Sequence, residues 1–267
     1  MVLRRVDGEK WVDEQLVVVG SVKDAPGVTT LAVGMVAGWP RPGGVVLLEA
    51  DPDGGDLAAR FGHHPDPGLM SFAAAARSGS DAGALRGHVQ RLRLDVDVVL
   101  GPPGDYAIAA VQTIAYSGVQ VLRHVAGDAT VVVDVGRLAQ GGPGLALAAM
   151  AADVVLVAHP TLDALIQVQA RLGWLRETLG GRLWLALSGP GPYRPAEIAR
   201  DLGVEVAGEV PDDARGAGVL SGRLVGRGWQ RLRLPRAARA LAWRLHDARP
   251  RRAAPPVLHG ARAEVYR

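Results

Sequence analysis

The chain has 267 residues, a formal net charge of +3 and no cysteine. A chain of this length can bury a large core, so one α/β domain is the simplest expectation, and the lack of cysteine excludes disulfides and thiolate-bound metals. No apolar run approaches the roughly 18–20 residues of a membrane span, and no apolar signal core follows the charged N-terminus, so we expect a cytoplasmic protein.

Apolar, mostly β-branched segments recur along the chain, separated by stretches long enough for helices. The segments are Leu16–Val19, Val45–Leu48, Val96–Leu100, Ala129–Val133, Val154–Ala158 and Leu183–Leu187. Strands that are apolar on both faces suit a parallel sheet covered by helices on each side. The sequence therefore predicts a doubly wound, mostly parallel α/β sheet, which binds ligands beyond the carboxyl ends of its strands.

The loop after the first predicted strand has the layout of a phosphate-binding loop. It reads Lys23-Asp24-Ala25-Pro26-Gly27-Val28-Thr29-Thr30 and leads into an apolar helix. In such loops, successive backbone N–H groups and the helix N-terminus face an anion. The position directly before the two threonines, where these loops carry a lysine, is Val28. Lys10 and Lys23 are the only lysines among 30 basic side chains, so the loop holds one of two.

This loop resembles the deviant Walker-A loop of the MinD/ParA family, K-G-G-x-G-K-T-T, at identical spacing. The resemblance places Lys23 at the signature lysine and Gly27 at the last loop glycine. It also places Thr29 at the magnesium-binding hydroxyl and Thr30 at the second threonine. The resemblance implies an ATP·Mg²⁺ site, with the loop contacting phosphate.

The departures from the family loop fall on its phosphate contacts. Asp24 and Ala25 replace two glycines, and Val28 replaces the second lysine. Valine retains the backbone amide but supplies no cation, and Asp24 adds a negative charge close to the phosphates. Both changes should weaken nucleotide binding, and hydrolysis more, because charge stabilisation matters most in the transition state. In the family the signature lysine reaches the partner's nucleotide across a dimer, so the resemblance implies that Lys23 can partly substitute.

Two further stretches resemble the family's acidic motifs. In LLEADPDGGDLAARFG, Asp51 matches the aspartate that acts on the attacking water, and Glu49 occupies the position of the first acid. The continuation of this stretch is most similar to the CpaE/TadZ branch, whose members localise pilus machinery. ATVVVDVG resembles Walker B, with Asp134 emerging from an apolar strand to hold a water on Mg²⁺. Thr29 and, through water, Asp134 are thus the implied metal residues.

Other matches extend the resemblance over roughly Leu16–Ala217. GVEVAGEVPDDARGA resembles a family segment in which the residues after Pro211 border the adenine. The family's adenine-reading asparagine, expected after LWLAL, is replaced by Ser188. The resemblance therefore implies a base site near Ser188 and Pro211 with altered base specificity.

The C-terminal part of the chain is strongly basic. From Arg223 onward there are twelve arginines and two acidic residues. We divide the chain into a P-loop domain over 1–220, including an N-terminal extension over 1–14, and a basic helix and tail over 221–267. After Pro235, the residues Ala238, Leu241, Ala242 and Leu245 share one helical face, which predicts an amphipathic helix. Such a segment suits an anionic membrane surface, an acidic partner, nucleic acid or solvent; nothing else in the sequence supports nucleic acid.

The resemblance implies a cytoplasmic positioning or regulatory protein, peripheral to the inner face of the membrane if the arginines bind lipid. It would act as a homodimeric scaffold with a partner in a localisation, secretion or pilus system. We expect a pseudo-ATPase or very slow ATPase that binds ATP and Mg²⁺ weakly or has lost them. One alternative is an active ATPase using Lys23 and Asp51. Another is a dethiobiotin-synthetase-like metabolic enzyme, which would need a full phosphate loop.

Overall fold

The computed structural model describes residues 3–6, 10–24, 26–40, 44–78, 85–116, 122 and 129–249, with the backbone alone up to residue 15. The strands are β1 Leu3–Val6, β2 Lys10–Ser21, β3 Val45–Glu49, β4 Gln90–Leu92, β5 Val96–Val99, β6 Thr130–Arg137, β7 Ala151–Ala158, β8 Arg182–Ser188 and β9 Glu205–Val210. The helices are α1 Val28–Ala37, α2 Leu57–Phe61, α3 Leu69–Arg77, α4 Tyr106–Tyr116, α5 Pro143–Ala148, α6 Leu162–Thr178, α7 Pro195–Leu202, α8 Ala214–Leu220 and α9 Arg233–Asp247. Short 3₁₀ turns span Leu85–His88 and Trp229–Arg231.

The described strands form one sheet in the order β4-β5-β3-β6-β2-β7-β8-β9, with β1 paired to the start of β2. The β1–β2 and β4–β5 pairs are antiparallel, and the other pairs are parallel. All six predicted strands coincide with strands of this sheet, although Leu100 and Ala129, each at the end of a prediction, lie one residue outside the observed strands. The prediction of a doubly wound, mostly parallel α/β fold is therefore confirmed.

Two buried apolar clusters sandwich the sheet. Along β2, Val18 belongs to one cluster and its neighbours Val17 and Val19 to the other, because successive side chains of a strand point to opposite faces. Helices α3 to α7 contribute to the first cluster, and α1, α2, α8 and α9 contribute to the second. Burial on both sides explains why the strands lack polar alternation. None of the described helices combines the length and apolarity needed to cross a bilayer.

Helix α9 is the amphipathic helix predicted after Pro235. All four residues of its predicted face, from Ala238 to Leu245, are buried in the same cluster as α1. The outer face of α9 carries arginines and Trp243, which is 49% exposed. The basic segment therefore packs into the same apolar cluster as α1 as far as Leu245, and the leucines of α9 are buried there. The division at residue 220 stays a prediction, and the predicted tail beyond Arg249 lies outside the described residues.

Helices α1 and α9 come into close contact at Gly34. A Cβ at this position would lie 2.8 Å from the Cβ of Ala238 and 2.9 Å from Cδ1 of Leu220. Both neighbours are buried, so we expect Gly34→Ala to lower the free energy of unfolding by about 1–2 kcal/mol in urea denaturation. Gly173→Ala is the matched control, because Gly173 lies in α6 and an added Cβ there would have no neighbour within 4 Å. It should stabilise the protein by up to about 1 kcal/mol. Equal stabilisation by both variants would contradict the close α1–α9 contact.

Candidate functional site

The loop between β2 and α1 is held in an open turn by local backbone contacts. Gly27 caps α1 in the left-handed region at φ 89°, and its carbonyl accepts a hydrogen bond from the N–H of Leu31 at 2.9 Å. Asp24 is also left-handed at φ 57°, a conformation that aspartate tolerates better than most residues. The Ser21 hydroxyl donates to the Asp24 carbonyl at 3.2 Å. Ala25 lies outside the described residues.

A cavity of about 520 Å³ opens over this loop. The predicted site residues that line it are Lys23, Asp24, Gly27, Val28, Thr29, Thr30 and Asp51. The other lining residues, which the sequence did not identify, are Ser21, Asp53, Asp56, Arg60, Gly136 and Arg137. The structure thus brings most of the proposed phosphate loop and the first acidic motif to one concave surface.

The two positions that carry lysine in the family loop differ sharply in their surroundings. Val28 is only 6% exposed and belongs to the apolar cluster beneath α1. Lys23 is exposed. A hydrogen bond with Thr161 and, as the smallest contribution, the charge of Lys23 lower the pKa of Asp163 at the start of α6. The loop therefore retains one exposed cation, Lys23, which lines the cavity.

Glu49 is a buried carboxylate that joins β3 to two neighbouring segments. Its Oε1 accepts hydrogen bonds from the N–H groups of Asp56 at 2.7 Å and Leu57 at 2.9 Å. Its Oε2 accepts from the N–H of Gly101 at 2.9 Å. Burial, opposed by these N–H groups, raises the pKa of Glu49 from 4.5 to about 7. Glu49 thus positions the start of α2 over the cavity.

Asp134 lies beneath the cavity, paired in register with Glu49 and with Val19 at the end of β2. Burial raises its pKa from 3.8 to about 6, while the Thr29 hydroxyl and the Gly136 N–H favour the ionised form. Its Oδ1 accepts from that N–H at 3.0 Å, whereas Oδ2 is buried without a hydrogen-bond partner among the described residues. An unsatisfied carboxylate oxygen near a threonine hydroxyl fits a hard cation such as Mg²⁺.

The protein alone does not complete a metal site. Over the described residues, no group of three or more His, Cys, Asp or Glu side chains is placed to hold an ion. Mg²⁺ keeps several waters and is commonly held by one or two protein ligands together with substrate phosphates. Thr29 and Asp134 therefore suit an ion that enters with a polyphosphate.

Asp51 extends over the cavity from the end of β3. The N–H of Asp53 donates to its Oδ1 at 2.9 Å, and burial raises its pKa. A Cβ at Gly136, which has φ 55°, would lie 2.0 Å from Oδ2 of Asp51. The close approach of this carboxylate to β6 therefore requires glycine at position 136.

The predicted base-binding residues lie apart from this cavity. Ser188 is tied to the loop, because its hydroxyl donates to the Pro26 carbonyl at 2.9 Å. Pro211 lines a separate groove of about 1110 Å³ between the ends of β8 and β9 and helix α9. The same groove is lined by Arg233, Arg236, Arg239 and Trp243. The structure thus connects Ser188 to the phosphate loop and places Pro211 toward α9.

Two cations of the cavity, Arg60 and Arg137, were missed by sequence reasoning. Arg60 follows Asp56 by four residues, a spacing typical of a helical ion pair, and the two side chains are paired. Arg137 follows Gly136 at the end of β6, where residues can face a ligand in a parallel sheet. These spacings were visible in the sequence, but a solvent-exposed surface would also explain them.

Comparison with known proteins agrees with this geometry at the level of the fold. No family model and no curated protein matches the sequence. A ParA family ATPase from Chlorobium tepidum TLS superposes with a TM-score of 0.70 and 16% identity, over 86% of this chain and 98% of that chain. The Pyrococcus furiosus cell division ATPase MinD gives a TM-score of 0.67 and 14% identity, over 88% of this chain and 99% of that chain. MinD from Pyrococcus horikoshii OT3, complexed with Mg-ADP, gives a TM-score of 0.66 and 14% identity, over 86% of this chain and 95% of that chain.

The chain has the fold of the ParA and MinD ATPases. The MinD/ParA resemblance inferred from the loop and acidic motifs is therefore supported as a shared architecture. The CpaE/TadZ branch and the loss of Walker-A function are finer statements, which stay proposals.

The buried pair Glu49 and Asp134 makes stability depend on pH. Because the pKa of Glu49 is raised in the folded protein, the folded state holds this proton more tightly than the unfolded state. The contribution of Glu49 to the free energy of unfolding is therefore fully present below pH 4.5 and decreases as the pH rises toward about 7. The whole decrease corresponds to about 3 kcal/mol. Asp134 acts in the same direction between its ordinary value of 3.8 and about 6.

We expect Glu49→Gln to flatten this dependence. The amide oxygen can still accept from the N–H groups of Asp56 and Leu57, while the N–H of Gly101 loses its acceptor. The variant should therefore be less stable at low pH but lose less stability between pH 4.5 and 7. Urea denaturation of both proteins across this range measures the difference, and parallel pH profiles would contradict the assignment to Glu49.

Proposed function

We propose that this protein is a MinD/ParA-type positioning or regulatory protein that binds ATP·Mg²⁺ weakly and hydrolyses it very slowly or not at all. The observation that supports this most is the combination in one cavity of an open loop, Thr29 above Asp134, and Asp51. The buried apolar side chain of Val28, at the position of the phosphate-binding lysine, supports the slow or absent hydrolysis.

Each residue of the proposed site has a distinct task. The amides of the loop from Lys23 to Thr30 would cradle the phosphates, as in other phosphate loops. The Thr29 hydroxyl and, through water, Asp134 would hold Mg²⁺, which when bound supplies charge compensation between phosphate oxygens. Asp51 would orient the attacking water. Ser188 and Pro211 would border the base, and the bound Mg-ADP of Pyrococcus horikoshii MinD supports this class of cofactor.

We further propose that the protein acts as a homodimer that brings a protein partner to its place in the cell, in a CpaE/TadZ-like localisation, secretion or pilus system. A MinC:MinD complex from Aquifex aeolicus has the same fold on its MinD side, which supports a protein partner for this architecture. Lys23 is exposed and lines the cavity, which suits the family's reach across a dimer.

The proposed contact with an anionic membrane surface would use the C-terminal arginines, of which those on the outer face of α9 lie within the described residues. The arginines and Trp243 of α9 are exposed, whereas its leucines are buried. Each basic residue near an anionic surface contributes about 1 kcal/mol, so the contact would be salt-sensitive. Co-sedimentation with anionic vesicles at low and high salt tests this surface.

A calorimetric titration with ATP·Mg²⁺, accompanied by analytical ultracentrifugation, tests the proposal. We expect weak binding that Thr29→Ala reduces, and dimer formation that increases with nucleotide. Rapid turnover would favour the active ATPase that uses Lys23 and Asp51. Binding of neither nucleotide nor Mg²⁺, with a monomer under all conditions, would exclude the proposed function.

A further inference from the structure

The phosphate cavity needs cations that its loop does not provide. Four carboxylates line it, from Asp24, Asp51, Asp53 and Asp56, against the three cations Lys23, Arg60 and Arg137. Val28 adds no charge, so Lys23 is the one cation that the described loop residues contribute to the lining. With all three cations counted, the lining still carries one net negative charge, so a polyphosphate would be bound only by cations that turn from their carboxylates toward it.

Arg60 is held over the cavity by a well-anchored short helix. Glu49 binds the N–H groups at the start of α2, and Leu57 and Phe61 bury the inner face of that helix. Arg60 lies on the outer face with a side chain only 25% exposed, and it is paired with Asp56. Arg60 also lines the cavity itself, together with Thr29 and Asp51.

Arg137 lines the cavity from the end of β6, the strand between β2 and β3. Its register partner is Ser21, the last residue of β2 before the loop. Its guanidinium is 3.9 Å from Asp53, and the two side chains are 59% and 75% exposed. Exposed pairs of this length contribute little to stability. Arg137 can therefore exchange its carboxylate partner for another anion at small cost.

We propose that Arg60 and Arg137 are the phosphate-binding cations of this cavity and take the place of the missing loop lysine. They leave Asp56 and Asp53 when a nucleotide binds and donate to its phosphate oxygens. Guanidinium groups suit this role, because they can donate two parallel hydrogen bonds to a phosphate. The released carboxylates are largely exposed and become hydrated. This inference rests on the proposed nucleotide-binding function.

The test is calorimetric titration of the full chain with ATP·Mg²⁺ and, separately, with inorganic triphosphate and Mg²⁺. Arg60→Ala and Arg137→Ala should each lower the affinity for both ligands by roughly tenfold or more, as expected for the loss of a charge-assisted hydrogen bond. The corresponding lysine variants should recover part of the loss, because they restore the charge without the paired donors. Arg91→Ala is the matched control, since Arg91 is also exposed and paired with an aspartate, Asp97, but does not line the cavity.

A variant with the opposite expected sign separates this role from a structural one. Asp53→Asn removes the partner of Arg137 while its backbone N–H, which binds Asp51, is retained. The variant should bind triphosphate more tightly, because Arg137 then has no carboxylate partner that it must leave before it contacts the ligand. Thermal unfolding of each variant identifies any loss of folding, and the Asp53→Asn result then still decides the question.

The outcomes distinguish this inference from the proposed function. If the wild-type protein binds both ligands and the two arginine variants behave as Arg91→Ala does, the inference is wrong and nucleotide binding stands. If Arg60→Ala and Arg137→Ala weaken binding but Asp53→Asn leaves it unchanged or lowers it, Arg137 does not leave Asp53 to bind the phosphate, and that part of the inference is wrong. If the wild-type protein binds neither ligand, both the inference and the proposed function fail.

Discussion

Steady-state ATP hydrolysis by the purified, full-length protein should fall well below about 1 s⁻¹, the lower end of typical enzyme turnover. The loop cation that would stabilise the developing charge on the phosphates is replaced by the buried side chain of Val28. Asp24 adds a negative charge to the cavity lining. Loss of one preorganised transition-state donor commonly lowers the rate by a factor on the order of 10²–10³. Arg60 and Arg137 are paired with carboxylates in the free protein, so their donors are not preorganised.

Phosphate release in the presence of Mg²⁺ measures this rate. Asp51→Asn and Thr29→Ala are the controls, because activity that persists in both belongs to a contaminating ATPase. Turnover near 1 s⁻¹ or above that Asp51→Asn abolishes would contradict the prediction. That result would favour the active ATPase, with Lys23 and Asp51 in the roles that the resemblance implies.

The strands and helix α9 were predictable because the spacing of apolar residues along the sequence is sufficient to indicate each of them. Leu16–Val19 and Val154–Ala158 are apolar on both faces, and burial between two helical layers is the solution that such strands allow. The face of α9 was likewise readable from the spacing of Leu241 and Leu245. By contrast, β4 has three residues without apolar alternation, and its position depends on pairing with β5.

The candidate site was only partly predictable, because its missing parts depend on contacts far apart in sequence. Arg60 reaches the cavity because Glu49 holds the start of α2 and because Gly222 packs against the Arg60 carbonyl. Neither contact leaves a local pattern in the sequence. The same holds for Pro211, whose place in a groove with α9 follows from helix packing. The candidate phosphate loop, by contrast, could be proposed from spacing alone, because its residues are eight consecutive positions.

Val28→Lys should increase the affinity for ATP·Mg²⁺ by roughly tenfold or more, the value of a charge-assisted hydrogen bond. The loop backbone is already in place: Gly27 caps α1 in the left-handed region and Asp24 adopts the conformation of a loop glycine. The new side chain would extend toward the cavity that Val28 already lines. Without ligand, the variant should unfold at a lower temperature, because it removes an apolar side chain from the cluster under α1.

Asp24→Gly should add to this gain by removing a negative charge and relaxing a left-handed position that glycine adopts freely. The control for added charge is Ala59→Lys, at an exposed position of α2 that does not line the cavity. Calorimetric titration compares the four proteins at one salt concentration, with thermal unfolding as the check on folding. If Val28→Lys and Asp24→Gly leave affinity unchanged in folded protein, the loop does not cradle phosphate. An equal gain with Ala59→Lys would assign the effect to net charge, since a lysine outside the loop would then replace the missing cation equally well.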